Sequence, residues 1–318
     1  MKLEESWISE YPKYTFNSYS RYLKLLYGQS VYRVSVDAGF SCPHRRTSKT
    51  GSGCTFCDPS GSRAPYLGNA ENIQAQIENS IGFITKRYNV GAYILYFQAF
   101  SNTFAVCEKL KRIYDTGLRV APFKELVIST RPDCIDEEKA DLIASYANKG
   151  LKVWVELGLQ SASDVTLQRI NRAHSVETFQ SAYSLLKRKN IFVAVHVIFG
   201  LPGEREQEIE NTILYVANLS PDGIKIHNLN ISRDSHLEKE FLEGELIAPG
   251  AERHLNYIIH ALEMLPPKTL IMRLVCDTPV SRRLAPRKFI EKAIFYDRIK
   301  NEMIKRNTRQ GKYYKQYS

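Results

Sequence analysis

Six short apolar stretches, each followed by a helical pattern, constrain this chain more than any other feature. Val31–Val36 alternates and is rich in β-branched residues, as a half-buried strand is. Tyr93–Phe97, Glu125–Ser129, Leu151–Leu157, Phe192–Phe199 and Gly223–Leu229 follow, with a helix-length interval after each. Within residues 71–87, Ile73, Ile77, Ile81 and Ile84 recur at helical steps. Further helices are expected at about 103–114, after Asp136 as an N-cap, and at 165–170, 175–189 and 204–218. Strands alternating with helices imply parallel strands joined by right-handed crossovers, hence an α/β sheet or barrel. A closed eightfold barrel takes about 250 residues for the barrel alone. The repeat stops after six, so the expected fold is a partial (βα)6 TIM-like barrel with an open mouth. Residues 1–30 read as an N-terminal extension and 31–235 as the barrel. Residues 236–318 read as a C-terminal extension with a helix near 257–265, an apolar segment at 270–275 and a basic helix at 286–305.

Ligands in parallel α/β folds bind at the carboxyl ends of the strands. There the first strand runs into Cys42, Cys54 and Cys57, half of the chain's six cysteines, on one glycine-rich loop. Soft thiolates gathered in this way favour zinc or an iron–sulfur cluster. A closed structural zinc site takes a fourth protein ligand, and catalytic zinc favours histidines and carboxylates. A [4Fe–4S] cluster on three cysteines instead leaves one iron open to a ligand. The other strand ends supply Gln98, Ser101 and Asn102; Ser129, Thr130 and Arg131; Glu156 and Gln160; the turn from Gly200 to Gly203; and His227, Asn228 and Asn230. Taken singly, most of these read as caps, turns or a local pair of Arg131 with Asp133. Glu156 differs, because an acid inside a buried strand is costly unless paired. Cys107 reads as core, Cys134 as a buried thiol near the mouth, His44 as part of the cysteine loop and His196 as a satisfied core histidine. Cys276 has no partner motif, and no histidine pair has zinc-enzyme spacing.

With 318 residues, 43% of them hydrophobic, the chain can bury a large core. Three clustered and three scattered cysteines exclude a disulfide-stapled secreted module. The start carries acids where a signal peptide needs bases, and no long apolar run occurs, so a reducing cytoplasm and no membrane are expected. The formal charge of +10 is concentrated at one end: Ser281–Ser318 holds twelve Lys or Arg against three acids. Such an end, interleaved with tyrosines, suits an RNA backbone or serves only as a solvated tail.

Several stretches together resemble the radical S-adenosylmethionine (SAM) superfamily. They are Asp37-Ala-Gly-Phe-Ser-Cys-Pro-His-Arg, Gly53-Cys-Thr-Phe-Cys-Asp58, Tyr96–Thr103, Ser129–Asp133, Val155–Ser161 and Gly223–Ile226. The gap of eleven residues between Cys42 and Cys54 departs from the superfamily's common spacing. It is similar to the bacterial YtqA/YhcC group, which is related to the radical-SAM domain of the Elongator catalytic subunit. The resemblance implies a [4Fe–4S] cluster on Cys42, Cys54 and Cys57 whose open iron chelates SAM. Reductive cleavage would then give methionine and a 5′-deoxyadenosyl radical. It further implies Gln160 at the ribose hydroxyls with Glu156 beside it, Arg172 at the SAM carboxylate, and Gly200 to Pro202 beside the adenine. Gln98 stands where relatives carry a glycine-rich motif for the SAM ammonium. The implied substrate is a tRNA wobble uridine, with 5-carboxymethylaminomethyl-2-thiouridine converted to 5-aminomethyl-2-thiouridine. The tail 281–318 and Arg45, Arg46 and Lys49 would face the tRNA, and a donor such as flavodoxin or ferredoxin would supply electrons. Radical chemistry on a peptide or small metabolite is one alternative. A zinc-holding RNA-binding module without catalysis is the other.

Overall fold

A computed structural model describes residues 5–46, 53–57, 63, 64, 67, 72–276 and 278–315. The six expected strands form: β1 (Val31–Val36), β2 (Ala92–Phe97), β3 (Phe123–Thr130), β4 (Lys152–Gln160), β5 (Phe192–Phe199) and β6 (Gly223–Asn228). Each pairs in parallel with its successor. After β6 come β7 (Ile231–Ser232) and then β8 (Leu270–Arg273), which pairs in parallel with β6 and extends the sheet to seven strands. The segment expected as an extension therefore contributes the last strand of the sheet itself. β9 (Arg283–Ala285) pairs antiparallel with β7 in a small separate sheet.

The helices are α1 (Tyr19–Tyr27), α2 (Pro43–Arg46), α3 (Ile73–Thr85), α4 (Cys107–Val120), α5 (Glu137–Ala147), α6 (Asp164–Arg169) and α7 (Val176–Arg188). They continue with α8 (Glu206–Leu219), α9 (His236–Leu242), α10 (Ala251–Met264) and α11 (Lys292–Lys305). Asn72, Asp136, Ser163 and Ser175 each accept a first-turn backbone N–H, which fixes where the loops at the strand ends turn into helices. Among the described residues no helix is long and apolar enough to cross a membrane.

Alternation along the strands separates two faces. One face sends Val34, Leu95, Phe97, Ile128, Val155 and Leu157 into the main core against the surrounding helices. The other face, near the amino ends, sends Ile94, Val127, Trp154 and Ala194 against Tyr19 and Leu23 of α1, with Tyr96 above them. Tyr19 meets Trp154 edge to face at 5.7 Å, and the hydroxyls of Tyr19 and Tyr27 donate to the buried Glu125. The N-terminal extension is thus the floor of the half-barrel. Its opposite end is left for ligands.

The basic end is not a free tail. Its helix α11 buries Phe295, Ile299 and Met303. Gln310, also buried, accepts from the Asn17 amide at 2.8 Å and donates to the Pro266 and Thr269 carbonyls. Some of its charge is matched locally, Arg298 by Glu252 and Arg306 by Glu302. Replacing Phe295 by Ala should cost about 3–5 kcal/mol, seen as a lower urea midpoint. An unchanged midpoint would show that this end is detachable from the core.

Candidate active site at the carboxyl ends of the strands

A cavity of about 530 Å³ opens at the carboxyl ends of the strands. Cys42, Cys54, Cys57, Gln98, Gln160 and Arg172 all line it. Nine Lys or Arg side chains also line it, and among the described residues no Asp or Glu does. A cavity of this kind attracts anions.

The best-defined thiol is Cys54. Arg172 donates to its Sγ through Nη1 at 3.4 Å, Arg131 through Nη1 at 3.7 Å, and His44 Nε2 lies at 3.6 Å. Burial pushes the thiol up, but Arg172, His44 and Arg131 together bring it down to about 6. Near neutral pH the sulfur is therefore mainly thiolate, the form that ligates metal. The guanidinium of Arg131 is fixed by two bonds to Asp133, at 2.8 and 2.9 Å, and by donation to the Arg172 carbonyl at 2.6 Å. Asn171 donates to the Gly53 carbonyl at 2.7 Å, and the Thr55 amide donates to the Ile170 carbonyl at 3.0 Å. These bonds tie the cysteine loop to the turn after α6. Asn171 and Ala173, on either side of Arg172, both have positive φ, uncommon for residues other than glycine.

Cys42 Sγ lies 3.5 Å from Ser101 Oγ. All three cysteines are free thiols on one cavity wall. Among the described residues no three Cys, His, Asp or Glu side chains converge on a single ion. Three soft donors on one cavity wall suit an iron–sulfur cluster, and the cationic neighbours of Cys54 suit thiolate ligands.

Gln160 sits where the pairing of β4 with β5 shifts register, with φ of 74°. Its side chain is buried, and its Oε1 has no partner among the described residues. Such a strained residue with an unmet acceptor marks a place for a hydroxyl or amine donor. A Cβ at the neighbouring Gly158 would come within 2.6 Å of both Arg172 Nη2 and Gln160 Nε2, so a side chain there would push both ends from these positions. Gln98 accepts from Ser35 Oγ at 3.2 Å.

Other predicted residues stand elsewhere. Glu156 does not line the cavity. Arg33 donates to one of its oxygens at 2.6 Å, and Tyr96 at 2.7 Å and Lys225 engage the other. Burial pushes its carboxyl up, but Lys225 and Arg33 outweigh this and hold it well below the usual carboxylate range. It is the counterion of the barrel interior, with both oxygens occupied. Gly200 and Pro202 also lie outside the cavity lining; the Gly200 and Leu201 amides donate to Glu204, and Pro249 packs against Gly200. His196 is not satisfied: its buried Nε2 has no partner among the described residues, and its ring meets His227 at 4.1 Å. Cys107 begins α4 half-buried rather than in the core. Cys134 is buried, its thiol pushed up to about 12 by burial and by Asp133. Arg45 lines the cavity, whereas Lys49 and the side chain of Arg46 lie outside the described residues.

Sequence reasoning missed the roles of Arg33, Lys225 and Arg273, which also line the cavity. The signal was the one that singled out Glu156, a charge within an apolar strand. Glu156→Gln should cost about 3–5 kcal/mol, because it strands two buried cations. The folded-state carboxyl lies below its unfolded value, so this stabilisation is present above the usual glutamate range and is lost as pH falls below it. Urea midpoints of the two proteins, measured from neutral to acid pH, should converge only on the acid side.

The sequence pattern of the Radical SAM superfamily matches residues 42–216, and that of the Radical_SAM C-terminal domain matches residues 221–305. The Escherichia coli protein YhcC is 35% identical over 263 residues, covering 82% of this chain and 83% of its own. A tRNA uridine(34) acetyltransferase from Methanocaldococcus infernus is 29% identical over 160 residues, which span 49% of this chain and 29% of that protein. A solved structure of Methanocaldococcus infernus Elp3, truncated at its N-terminus, shares the fold with a TM-score of 0.64 at 20% identity, over 88% of this chain and 64% of that one. The pattern covers more than half of the chain and begins at the first of the three clustered cysteines, so this protein belongs to the radical SAM superfamily, as an enzyme that uses a [4Fe–4S] cluster and SAM.

Proposed function

We propose that Cys42, Cys54 and Cys57 hold the cluster and that the substrate is the wobble uridine of tRNA. The observation that carries the substrate reading is the cavity wall, where nine Lys or Arg side chains and, among the described residues, no carboxylate stand beside the three thiols, although Arg33, Lys225, Arg63 and Arg131 pair with carboxylates behind it. RNA is a polyanion, and a protein that takes it up must supply cations. The likeness to a tRNA uridine(34) acetyltransferase over half of this chain supports the same reading.

When bound, the cluster and SAM supply a 5′-deoxyadenosyl radical that removes a hydrogen atom from the substrate. The chain's part is to hold and orient. Arg172 keeps Cys54 as thiolate, and its remaining N–H donors serve the SAM carboxylate. Gln160 offers its unmet Oε1 to the ribose hydroxyls. Gln98, at the end of β2 in the same lining, stands nearest to the role of ammonium partner. The reaction proposed is removal of the carboxymethyl part of 5-carboxymethylaminomethyl-2-thiouridine to leave 5-aminomethyl-2-thiouridine: the N–CH2 carbon would lose a hydrogen atom and a further electron, SAM being the net oxidant, and water would release glyoxylate, with flavodoxin or ferredoxin as the priming electron donor.

A second reading, an anionic peptide or small metabolite as substrate, gains from the packing of the basic end, whose charges are partly matched by Glu252 and Glu302. Nucleoside analysis of bulk tRNA separates the two. A strain lacking the gene should accumulate the carboxymethylaminomethyl nucleoside and lose the aminomethyl one; an unchanged profile contradicts the tRNA assignment. Separately, Cys42→Ala, Cys54→Ala and Cys57→Ala should each lower iron well below about four atoms per chain after anaerobic reconstitution. Full iron content in any of them would remove that cysteine from the ligand set.

A further inference from the structure

We propose that the β6–β8 side of the cavity is a subsite for an oxyanion carried by the substrate, with Arg273 as its principal cation and His196 as its partner. The inference rests on the cavity being the SAM site, but not on tRNA being the substrate.

The first support is a charge imbalance. Arg33, Lys225 and Arg273 line one part of the cavity, and Glu156, just beneath the lining, is the carboxylate that Arg33 and Lys225 share. Arg273, at the end of β8, instead places Nη1 3.3 Å from His227 Nε2 and reaches no carboxylate among the described residues. Arg273 is half-buried at the cavity wall, and a cation there without a carboxylate partner favours an anion in the cavity.

The cofactors do not supply that anion. An oxidised [4Fe–4S] cluster on three thiolates carries about one negative charge, and SAM at neutral pH about one positive charge, so the pair nearly cancels. The cations nearest the thiols are already engaged, since Arg131 and Arg172 both donate to Cys54. Arg273 lies on β8, whereas Arg131 follows β3 and Arg172 follows α6; its Nη1 meets His227, whose ring lies 4.1 Å from that of His196.

The second support is independent of charge. His196 Nε2 is fully buried in the cavity wall without a partner, a polar atom that only a ligand or water can satisfy. Burial and the nearby Lys225 keep this imidazole neutral, so it can donate or accept. An arginine fork beside a neutral imidazole fits two oxygens of a carboxylate or a phosphate.

The test uses reconstituted, SAM-loaded holoenzyme under anaerobic conditions, titrated calorimetrically with malonate and with inorganic phosphate. Wild type should bind at least one of them, and Arg273→Met should weaken that binding by about tenfold or more. Arg273→Lys keeps the charge but not the fork and should recover only part of it. SAM affinity should stay within about twofold in both variants, which also reports an intact fold. Preference for malonate identifies a carboxylate on the substrate; preference for phosphate identifies a phosphate. The proposal is overturned if wild type binds neither anion, if Arg273→Met binds as wild type does, or if Arg273→Met loses SAM affinity about tenfold. The same titration without SAM keeps the claims apart: anion binding by a protein that takes up no SAM would cost the cofactor assignment and leave the subsite standing.

Discussion

A buried thiolate between two guanidinium groups is the interaction on which the rest of the site depends. Cys54 would be a poor ligand in an apolar wall, because burial favours the neutral thiol. Arg172 and Arg131 reverse that preference. Neither guanidinium rests on Cys54 alone: Asp133, the Arg172 carbonyl and the Gly158 carbonyl hold them in place before any metal arrives. The same contacts join the cysteine loop after β1 to β3, β4 and the turn after α6. One electrostatic contact thus sets both the chemistry of a thiol and the shape of the wall that carries it.

Beneath this wall the barrel interior changes character. Near the amino ends of the strands, Trp154, Ile94 and Val127 pack against α1 as an apolar floor. One layer higher, Arg33, Tyr96 and Lys225 surround Glu156, and above them lies the open cavity. The buried ion pairs add little net stability by themselves, since desolvation offsets much of their attraction. They matter because any one partner removed leaves the others uncompensated. The network therefore fixes side chains on β1, β2, β4 and β6 relative to one another. A stiff polar layer under the cavity is what a site needing fixed distances requires.

Much of this was legible in the sequence, for physical reasons that also explain the gaps. Strand and helix periods gave the six βα units, because each strand is long enough to show a pattern. Leu270–Arg273 is too short for that, and only its pairing with β6 makes it a strand. The basic end looked like a tail because its charges outnumber the three apolar residues, Phe295, Ile299 and Met303, that anchor it at four-residue steps. The cysteines were legible from spacing, and Arg172 only through the family resemblance. Glu156 was visible as an anomaly, but its partners Arg33 and Lys225 lie far away in sequence, so a ligand contact seemed the natural explanation. Arg131 was paired in the sequence with Asp133, correctly, while its second contact to Cys54 needed the fold.

The central claim is that one cavity places a cluster on the three thiols and SAM beside it, with Arg172 joining the two. Electron paramagnetic resonance of the reduced, reconstituted protein tests this most directly. The account predicts a [4Fe–4S] signal that changes when SAM is added, and an Arg172→Gln protein that needs a much higher SAM concentration for the same change. A cluster signal indifferent to SAM, or one that responds equally in both proteins, would contradict it.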